Sequence, residues 1–236
     1  MMRDAQGWAR SLRRWLHACG AAIAFSAGLF AVSIGVADLL ATDARQFLDD
    51  AAHANRGVTH ARWQQAVDGL RRARHLNPWN ADYTADMARL YIWQSWQQVE
   101  RPGAAEAYTR AAAHLYRETL ARRPSWGYAW AELADTVATT DGISAEVETA
   151  VRLSGRLAPY EQQALRRVLW VALPSWPALD ADMRDEVRTL VRNALRLNSE
   201  SAWLTRLAAR FDWQQELTRL RQQHDIGAPS DRETAF

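Results

Sequence analysis

The chain has 236 residues, of which 29 are basic and 27 acidic, giving a formal net charge of +2 at pH 7. Its arginines are spread along the sequence and form no basic stripe of the kind that nucleic-acid-binding proteins carry. The single cysteine, Cys19, excludes a disulfide framework within one chain. With 48% hydrophobic residues, 11 Gly and 7 Pro, and many strong helix formers, the composition predicts an all-α protein of one or two domains.

The first predicted element is a transmembrane helix over residues 15–38. Its apolar stretch 18–37 has 20 residues and no charge, and as a helix it spans about 30 Å, the thickness of a bilayer hydrocarbon core. Arginines precede it and aspartates follow it, so the positive-inside rule puts residues 1–14 in the cytoplasm and the remainder in the periplasm of a bacterium. The side chains predicted to form this anchor are Ala18, Ile23, Phe25, Leu29, Phe30, Val32, Ile34 and Val36.

A cleaved signal peptide is the alternative reading of the same segment. Gly35-Val36-Ala37 has small residues at the offsets that a signal peptidase requires. The long apolar run and the unbroken helical pattern from Asp38 to His53 favour an uncleaved anchor in the bacterial inner membrane. Both readings send the body of the chain to the same side of the membrane.

Beyond the membrane, the sequence predicts a juxtamembrane helix and linker over residues 39–60, a helical-repeat domain over 61–224 and a disordered tail over 225–236. Asn80 and Ser125 are predicted helix caps, and Asn55-Arg56-Gly57 and Asp141-Gly142 are predicted breaks. The helices predicted in the repeat domain are Arg62–His75, Asn80 to about Gln98, Ala104–Arg122, Ser125 to about Thr140, Ser144–Arg156, Tyr160–Val171, Asp180–Arg196 and Ser201 to about Gln223.

Four of these helices end in the same pattern of small and apolar residues. Proline follows the first three ends, at Pro78, Pro124 and Pro159, and Ser199 takes its place at the fourth. The intervals between these ends are 46, 35 and 40 residues, against a tetratricopeptide period of about 34. The pattern predicts a tetratricopeptide-like α-solenoid of antiparallel helix pairs, because a small residue lets helices approach closely and proline ends the helix. The four ends are Ala66-x3-Leu70-x2-Ala73, Ala112-x3-Tyr116-x2-Thr119, Val147-x3-Val151-x2-Ser154 and Val187-x3-Val191-x2-Ala194.

In such a stack, the first helix of each pair lines a concave face. Alignment on the repeat places five charged and aromatic side chains there, of types that suit protein or peptide recognition. These predicted binding residues are Asp82, Arg89, Trp93, Tyr128 and Asp135.

Catalytic and metal-binding motifs are missing from the sequence. It has no His-Glu-x-x-His, no Gly-x-Ser-x-Gly and no cysteine pair for zinc. We therefore predict no catalytic residue, no metal and no cofactor. Of the 12 tryptophans, Trp93 and Trp96 are least explained by packing, and stacking on a sugar is their alternative role.

Several short segments carry a family resemblance that covers roughly residues 10–220. The most specific is Arg122-Arg123-Pro124-x-Trp126-Gly127-x-Ala129-Trp130. The others are Val36-Ala37-Asp38 after the anchor, Trp63-x2-Ala66, Leu76-Asn77-Pro78-x-Asn80-x2-Tyr83, Ala88-Arg89-Leu90-Tyr91-x-Trp93-Gln94 and Leu157-Ala158-Pro159-Tyr160-Glu161.

With these segments the chain resembles the VpsP-type proteins of bacterial exopolysaccharide gene clusters, which are membrane-anchored and have degenerate tetratricopeptide repeats. Related helical patterns occur in the tails of O-antigen ligase-like membrane proteins. The resemblance implies a role in surface polysaccharide synthesis or export, with proteins of the assembly system as partners.

From the sequence we therefore expect a membrane-anchored, non-enzymatic scaffold. A secreted periplasmic sugar-binding module with exposed tryptophans is the alternative. A glycan-modifying enzyme is a third, although its carboxylates have no assigned place in the sequence.

Overall fold

The computed structural model describes residues 2–53, 58–197 and 201–227, and every regular element in these ranges is a helix. This confirms the all-α prediction. The chain divides into two compact units, Met1–Asp86 and Met87–Phe236. The helices are α1 (Met2–His53), α2 (His60–Leu76), α3 (Ala81–Trp96), α4 (Pro102–Arg122), α5 (Gly127–Asp141), α6 (Ala145–Leu157), α7 (Gln162–Ala172), α8 (Ala181–Leu195), α9 (Ser201–Arg210) and α10 (Gln214–Gly227).

Helix α1 joins the predicted membrane segment to the predicted juxtamembrane helix without a break. It is long and apolar enough to cross a membrane, and only 6% of its most apolar 18-residue window is buried inside the protein. Six of the eight predicted anchor side chains are exposed and Ile34 is half-buried. The side chains of Ala18 and of residues 1–14 lie outside the described part of the chain.

In the first unit, α1 and α2 form an antiparallel pair. Arg62 binds Asp50 at 2.9 Å, and Gln65 donates to the carboxylate of Asp43 at 2.8 Å. Further along α2, Gly69 lies so close to α1 that an added Cβ would stand 2.5 Å from the carbonyl oxygen of Leu40. The later a residue comes in α2, the earlier its contact residue comes in α1, so the two helices run antiparallel.

Three helix ends share one backbone turn, and each turn is built around a proline. At Pro78, the preceding residue donates to the carbonyl four residues back (Asn77 to Ala73, 2.9 Å), and Asn80 donates to Asn77. The same two bonds recur around Pro124 and Pro159. The residues before the three prolines have φ of −137°, −136° and −136°, since proline forces its predecessor out of the helical region.

Helix pairs also recur in the second unit. Helix α5 packs against α4, α6 and α7, and α6 contacts both α7 and α8. Helix α8 contacts α7 and α10, and α10 packs against α9. Each of α5 and α6 therefore contacts the corresponding helix of the next pair as well as its own partner.

Two of the predicted local features are confirmed. Asn80 caps α3 by accepting the backbone N–H of Asp82 at 2.9 Å. Gly142 ends α5 with a φ of +70°, a left-handed conformation that glycine adopts at no steric cost. The predicted cap Ser125 is wrong, because it lies inside the turn that Trp126 closes on Arg123, and α5 starts at Gly127 with no side-chain cap.

The prediction of one closing helix from Ser201 to Gln223 is also wrong. The segment contains two helices, α9 and α10, separated at Asp212. Asp212 has a φ of 59°, and the N–H of Trp213 bonds to the carbonyl of Ala208 at 2.9 Å. This is a Schellman-type helix end with aspartate at the left-handed position. Helix α10 continues to Gly227, so residues 225–227 of the predicted tail are helical, while residues 228–236 and the predicted break at Asn55-Arg56-Gly57 lie outside the described residues.

Candidate functional site

A cavity of about 360 Å³ opens on the second unit where α5, α7 and α9 meet. Among the described residues, its lining contains two guanidinium groups and no carboxylate. The aromatic surface comes from one tyrosine and two tryptophans. The lining residues are Tyr128 of α5, Gln163, Arg166, Arg167 and Trp170 of α7, and Trp203 of α9.

Three of the six lining residues, one from each helix, occupy equivalent positions along their helices. Tyr128, Gln163 and Trp203 each lie four residues after the residue that ends the preceding pattern, namely Pro124, Pro159 and Ser199. Trp170 lies 11 residues after Pro159, as the predicted binding residue Asp135 lies 11 after Pro124. Because α5 and α7 follow the same proline turn, equal offsets bring these side chains to the same face.

Arg167 is held at the cavity wall by two carboxylates of α5. Its Nε donates to Glu132 at 3.0 Å and its Nη1 to Asp135 at 3.0 Å. Glu132 is 4% exposed and also accepts the hydroxyl of Tyr116 at 3.1 Å. The guanidinium of this lining residue is therefore oriented by two carboxylates of the neighbouring helix.

Burial and neighbouring charges together shift the pKa values of the residues around Arg167. Burial raises the pKa of Tyr128 to about 12, with the charge of Glu132 acting in the same direction, and burial also raises the pKa of Tyr116. Burial likewise raises the pKa of Asp135, although the Arg167 charge opposes it. Burial alone would lower the pKa of Arg167, but the charges of Glu132 and Asp135 together outweigh it and raise that pKa. At neutral pH the arginine stays charged and both tyrosines stay neutral.

Three arginines lie against aromatic rings of the cavity lining. The Arg166 guanidinium carbon lies 5.7 Å from the ring centre of Trp203, and that of Arg210 lies 4.9 Å from the ring of Trp170. Arg89 of α3 lies 5.1 Å from the ring of Tyr128. Such cation–π pairs fix the orientation of long side chains that would otherwise be mobile.

Three of the five predicted binding residues come together at this site. Tyr128 lines the cavity, Arg89 stacks on it, and Asp135 lies behind it bound to Arg167. Trp93 is only 9% exposed, so its ring is not available to stack on a ligand. Asp82 is half-buried and belongs to the first unit.

The residues on α7 and α9 were missed by the sequence reasoning. The signal that could have found them is the offset from the helix-ending residue. Applied to Pro159 and Ser199, the offsets that selected Tyr128 and Asp135 select Gln163, Trp170, Trp203 and Arg210. Arg166 and Arg167 carry no such signal, because their importance depends on partners in other helices.

Among the described residues, no group of three histidine, cysteine or acidic side chains is placed to hold a metal ion. Two carboxylates, those of Glu132 and Asp135, bind the lining residue Arg167. No protein-family model matches the chain, and no curated protein matches it.

Proposed function

We propose that this chain is a membrane-anchored adaptor of tetratricopeptide-like helix pairs that docks a partner protein at the cavity of α5, α7 and α9. The observation that carries the proposal is that three lining residues, Tyr128, Gln163 and Trp203, lie at equivalent positions of three successive first helices. A surface of this kind is how helical-repeat proteins recognise extended segments of their partners.

The repeat part of the proposal is supported by the turns and by the packing. Three turns share the same hydrogen bonds around Pro78, Pro124 and Pro159. Contacts of α5 with α7 and of α6 with α8 join each pair to the next one, as expected when pairs stack in one direction. An irregular bundle would have no reason to repeat either feature.

The anchor part of the proposal is supported by the exposure of α1 and by its continuity. An apolar helix that its own protein leaves uncovered is stable only in a lipid environment or against another protein. Ala37 is fully buried within the uninterrupted helix, and the adjacent Asp38 accepts a hydrogen bond from Tyr83 at 2.8 Å. The residues on both sides of the Ala37–Asp38 bond thus belong to one continuous helix of the folded protein, which favours an uncleaved anchor.

The lining indicates the chemistry of the partner segment. Arginine, tryptophan and tyrosine are the residue types that contribute most to protein interfaces. With two guanidinium groups in the lining, a segment that carries carboxylates and apolar side chains fits best. On the VpsP-type resemblance, we propose that the partners are proteins of a bacterial surface polysaccharide assembly system and that the chain acts without catalysis.

Site-specific crosslinking tests this proposal in the full-length protein in its own membrane. A photo-crosslinking residue at Gln163, inside the cavity, should capture a protein of polysaccharide assembly. The matched control is His114, an exposed residue on α4, which should not capture it. The capture should disappear in Arg166→Glu and Trp170→Ala. Equal capture from both positions, or capture that neither substitution affects, would contradict docking at the cavity.

A sugar-binding module remains the second candidate, because Trp170 is 41% exposed beside the cavity. Aromatic rings beside guanidinium and amide groups can also hold an acidic saccharide. Titration of the protein with oligosaccharides that contain uronic acids distinguishes the two. Binding that is lost in Trp170→Ala, without any captured protein at Gln163, would favour the sugar-binding candidate.

A further inference from the structure

The end of α2 lies beside the apolar part of α1. Gly69 packs against Leu40, and Leu76 follows seven residues later on the antiparallel helix. At 1.5 Å per residue, the end of α2 lies about 10 Å further towards the amino terminus of α1. Asp38, the first charge after the apolar stretch, is two residues from Leu40. Helix α2 therefore passes the level of Asp38 by roughly 7 Å along the apolar stretch.

Helix α3 independently shows where the turn after α2 lies along α1. Tyr83, in the first turn of α3, donates to the carboxylate of Asp38 at 2.8 Å. Trp79 lies four residues earlier, in the turn closed by the bond from Asn80 to Asn77. Ser33 and Ile34 are half-buried, whereas the described α1 side chains from Cys19 to Val32 are exposed. The turn is thus located beside the outer end of the apolar stretch.

The surface presented at this level has the composition of a membrane interface. Trp79 is 81% exposed and Leu76 is 36% exposed. Arg72 and Arg71, which also pairs with Asp68 at 2.9 Å, are exposed about one turn before Leu76. Tryptophan is enriched where a bilayer meets water, and arginine is attracted to anionic headgroups while its stem contacts acyl chains. We call Arg71, Arg72, Leu76 and Trp79 the turn patch.

We infer that the turn patch is a second membrane contact, in which Leu76 and Trp79 enter the lipid interface and Arg71 and Arg72 bind anionic phospholipid headgroups. The inference rests on the anchor part of the proposed function. Lipid is the occupant because the patch continues the surface of the apolar helix and reaches the depth of about 5–10 Å that interfacial segments reach. A helix pair that touches the membrane surface at a second point has a restricted tilt relative to the bilayer.

Spin-label accessibility in the full-length chain tests the inference. Cys19 is replaced by serine, and single cysteines are introduced at Phe25, Pro78 or Ala52 for a nitroxide label. Phe25 reports on the anchor, Pro78 on the turn, and the exposed Ala52 on the far end of the same helix pair. The protein is reconstituted in phosphatidylcholine vesicles with or without phosphatidylglycerol. The ratio of accessibility to oxygen and to a water-soluble nickel chelate is then measured.

The label at Pro78 should give a ratio between those at Phe25 and Ala52, and phosphatidylglycerol should raise it. Arg72→Glu should remove the response to phosphatidylglycerol, since each arginine near an anionic surface changes partitioning by about fivefold. Trp79→Ser should lower the ratio in both kinds of vesicle. Circular dichroism verifies that the helices of each variant remain folded, and a label at the exposed His75, in the last turn of α2, repeats the Pro78 measurement with the proline in place.

Three results would overturn the inference or its basis, and they are distinguishable. If Phe25 is in lipid while Pro78 has the same ratio as Ala52, the turn patch is in water and only the anchor stands. If Pro78 is shielded from both reagents, a protein covers the patch instead of lipid. If Phe25 itself is accessible to the nickel chelate, the anchor proposal fails together with the inference.

Discussion

Replacing Arg167 by methionine separates a structural arginine from the exposed arginines around it. The substitution keeps much of the apolar stem but removes the guanidinium that binds Glu132 and Asp135. Glu132, which is 4% exposed, keeps the hydrogen bond from the Tyr116 hydroxyl but loses the cation that pairs with its charge. A buried carboxylate that loses its cation is a main source of large destabilisation.

The magnitude follows from burial. Breaking a fully buried ion pair costs about 3–5 kcal/mol. The Arg167 side chain is 34% exposed, against 5% for that of Glu132, so water screens one end of the pair. We therefore expect Arg167→Met to lower the free energy of unfolding by about 2–3 kcal/mol. The double variant Arg167→Met/Glu132→Gln should lose less unfolding free energy than the two single variants lose together. In the double variant the buried Glu132 carboxylate is no longer left without its cation.

The matched control is the pair Arg117 and Glu146, whose bonds of 2.7 and 2.8 Å are shorter than those of Arg167 but which lies at the surface. Arg117→Met should cost about 1 kcal/mol or less. Urea unfolding of the full-length protein in detergent, followed by tryptophan fluorescence, measures both. At a slope of about 1–3 kcal/mol/M, Arg167→Met moves the midpoint by roughly 1 M. Equal shifts for the two variants would refute the reasoning from burial.

Three further predictions concern single residues. Because burial raises the pKa of Asp135, its carboxyl holds a proton more readily in the folded chain. The stability that this proton contributes is fully present below the ordinary aspartate pKa of 3.8 and is lost as the pH rises through the pKa in the folded chain. In urea unfolding, wild type should therefore lose stability relative to Asp135→Asn as the pH is raised from acidic to neutral. Gly69→Ala should destabilise the protein, since its Cβ would meet the Leu40 carbonyl, whereas Gly103→Ala, with nothing within 4 Å, should be neutral or stabilising in thermal melts. Asp212→Gly should raise the midpoint of thermal unfolding, because glycine removes about 1 kcal/mol of backbone strain at this left-handed residue. A lower midpoint would show that the aspartate side chain stabilises this turn.

Helix ends were predictable from the sequence where backbone chemistry fixes them. Proline restricts the residue before it whatever the surroundings, so the turns at Pro78, Pro124 and Pro159 follow from local sequence alone. Asp212 gives no comparable signal, because most aspartates do not adopt the left-handed conformation that a Schellman-type helix end requires. The break between α9 and α10 was missed for this reason.

The candidate site was predictable only in part, for a different physical reason. The sequence predicted Tyr128 and Asp135 because the repeat pattern assigns them to one helix face. Their offsets, four and 11 residues after Pro124, also identify Trp203 and Trp170 when counted from Ser199 and Pro159. Arg167 acquires its role from Glu132, 35 residues earlier in the chain. Pairing across helices depends on how neighbouring helices pack, which no single helix pattern contains.

The cavity and the packing of successive helix pairs depend on the same side chains. Glu132 and Arg167 each lie eight residues after the proline that precedes their helix, and Trp170 and Arg210 each lie 11 residues after Pro159 and Ser199. Residues of different type at equivalent positions thus bind each other across the helices: Glu132 and Arg167 join α5 to α7, and Trp170 and Arg210 join α7 to α9. In a stack where each repeat contacts only its neighbours, such bonds determine how firmly the pairs adhere. A segment bound between Arg166 and Trp170 would therefore stabilise the packing of α7 and α9 by mass action, and partner binding should raise the unfolding midpoint of the domain.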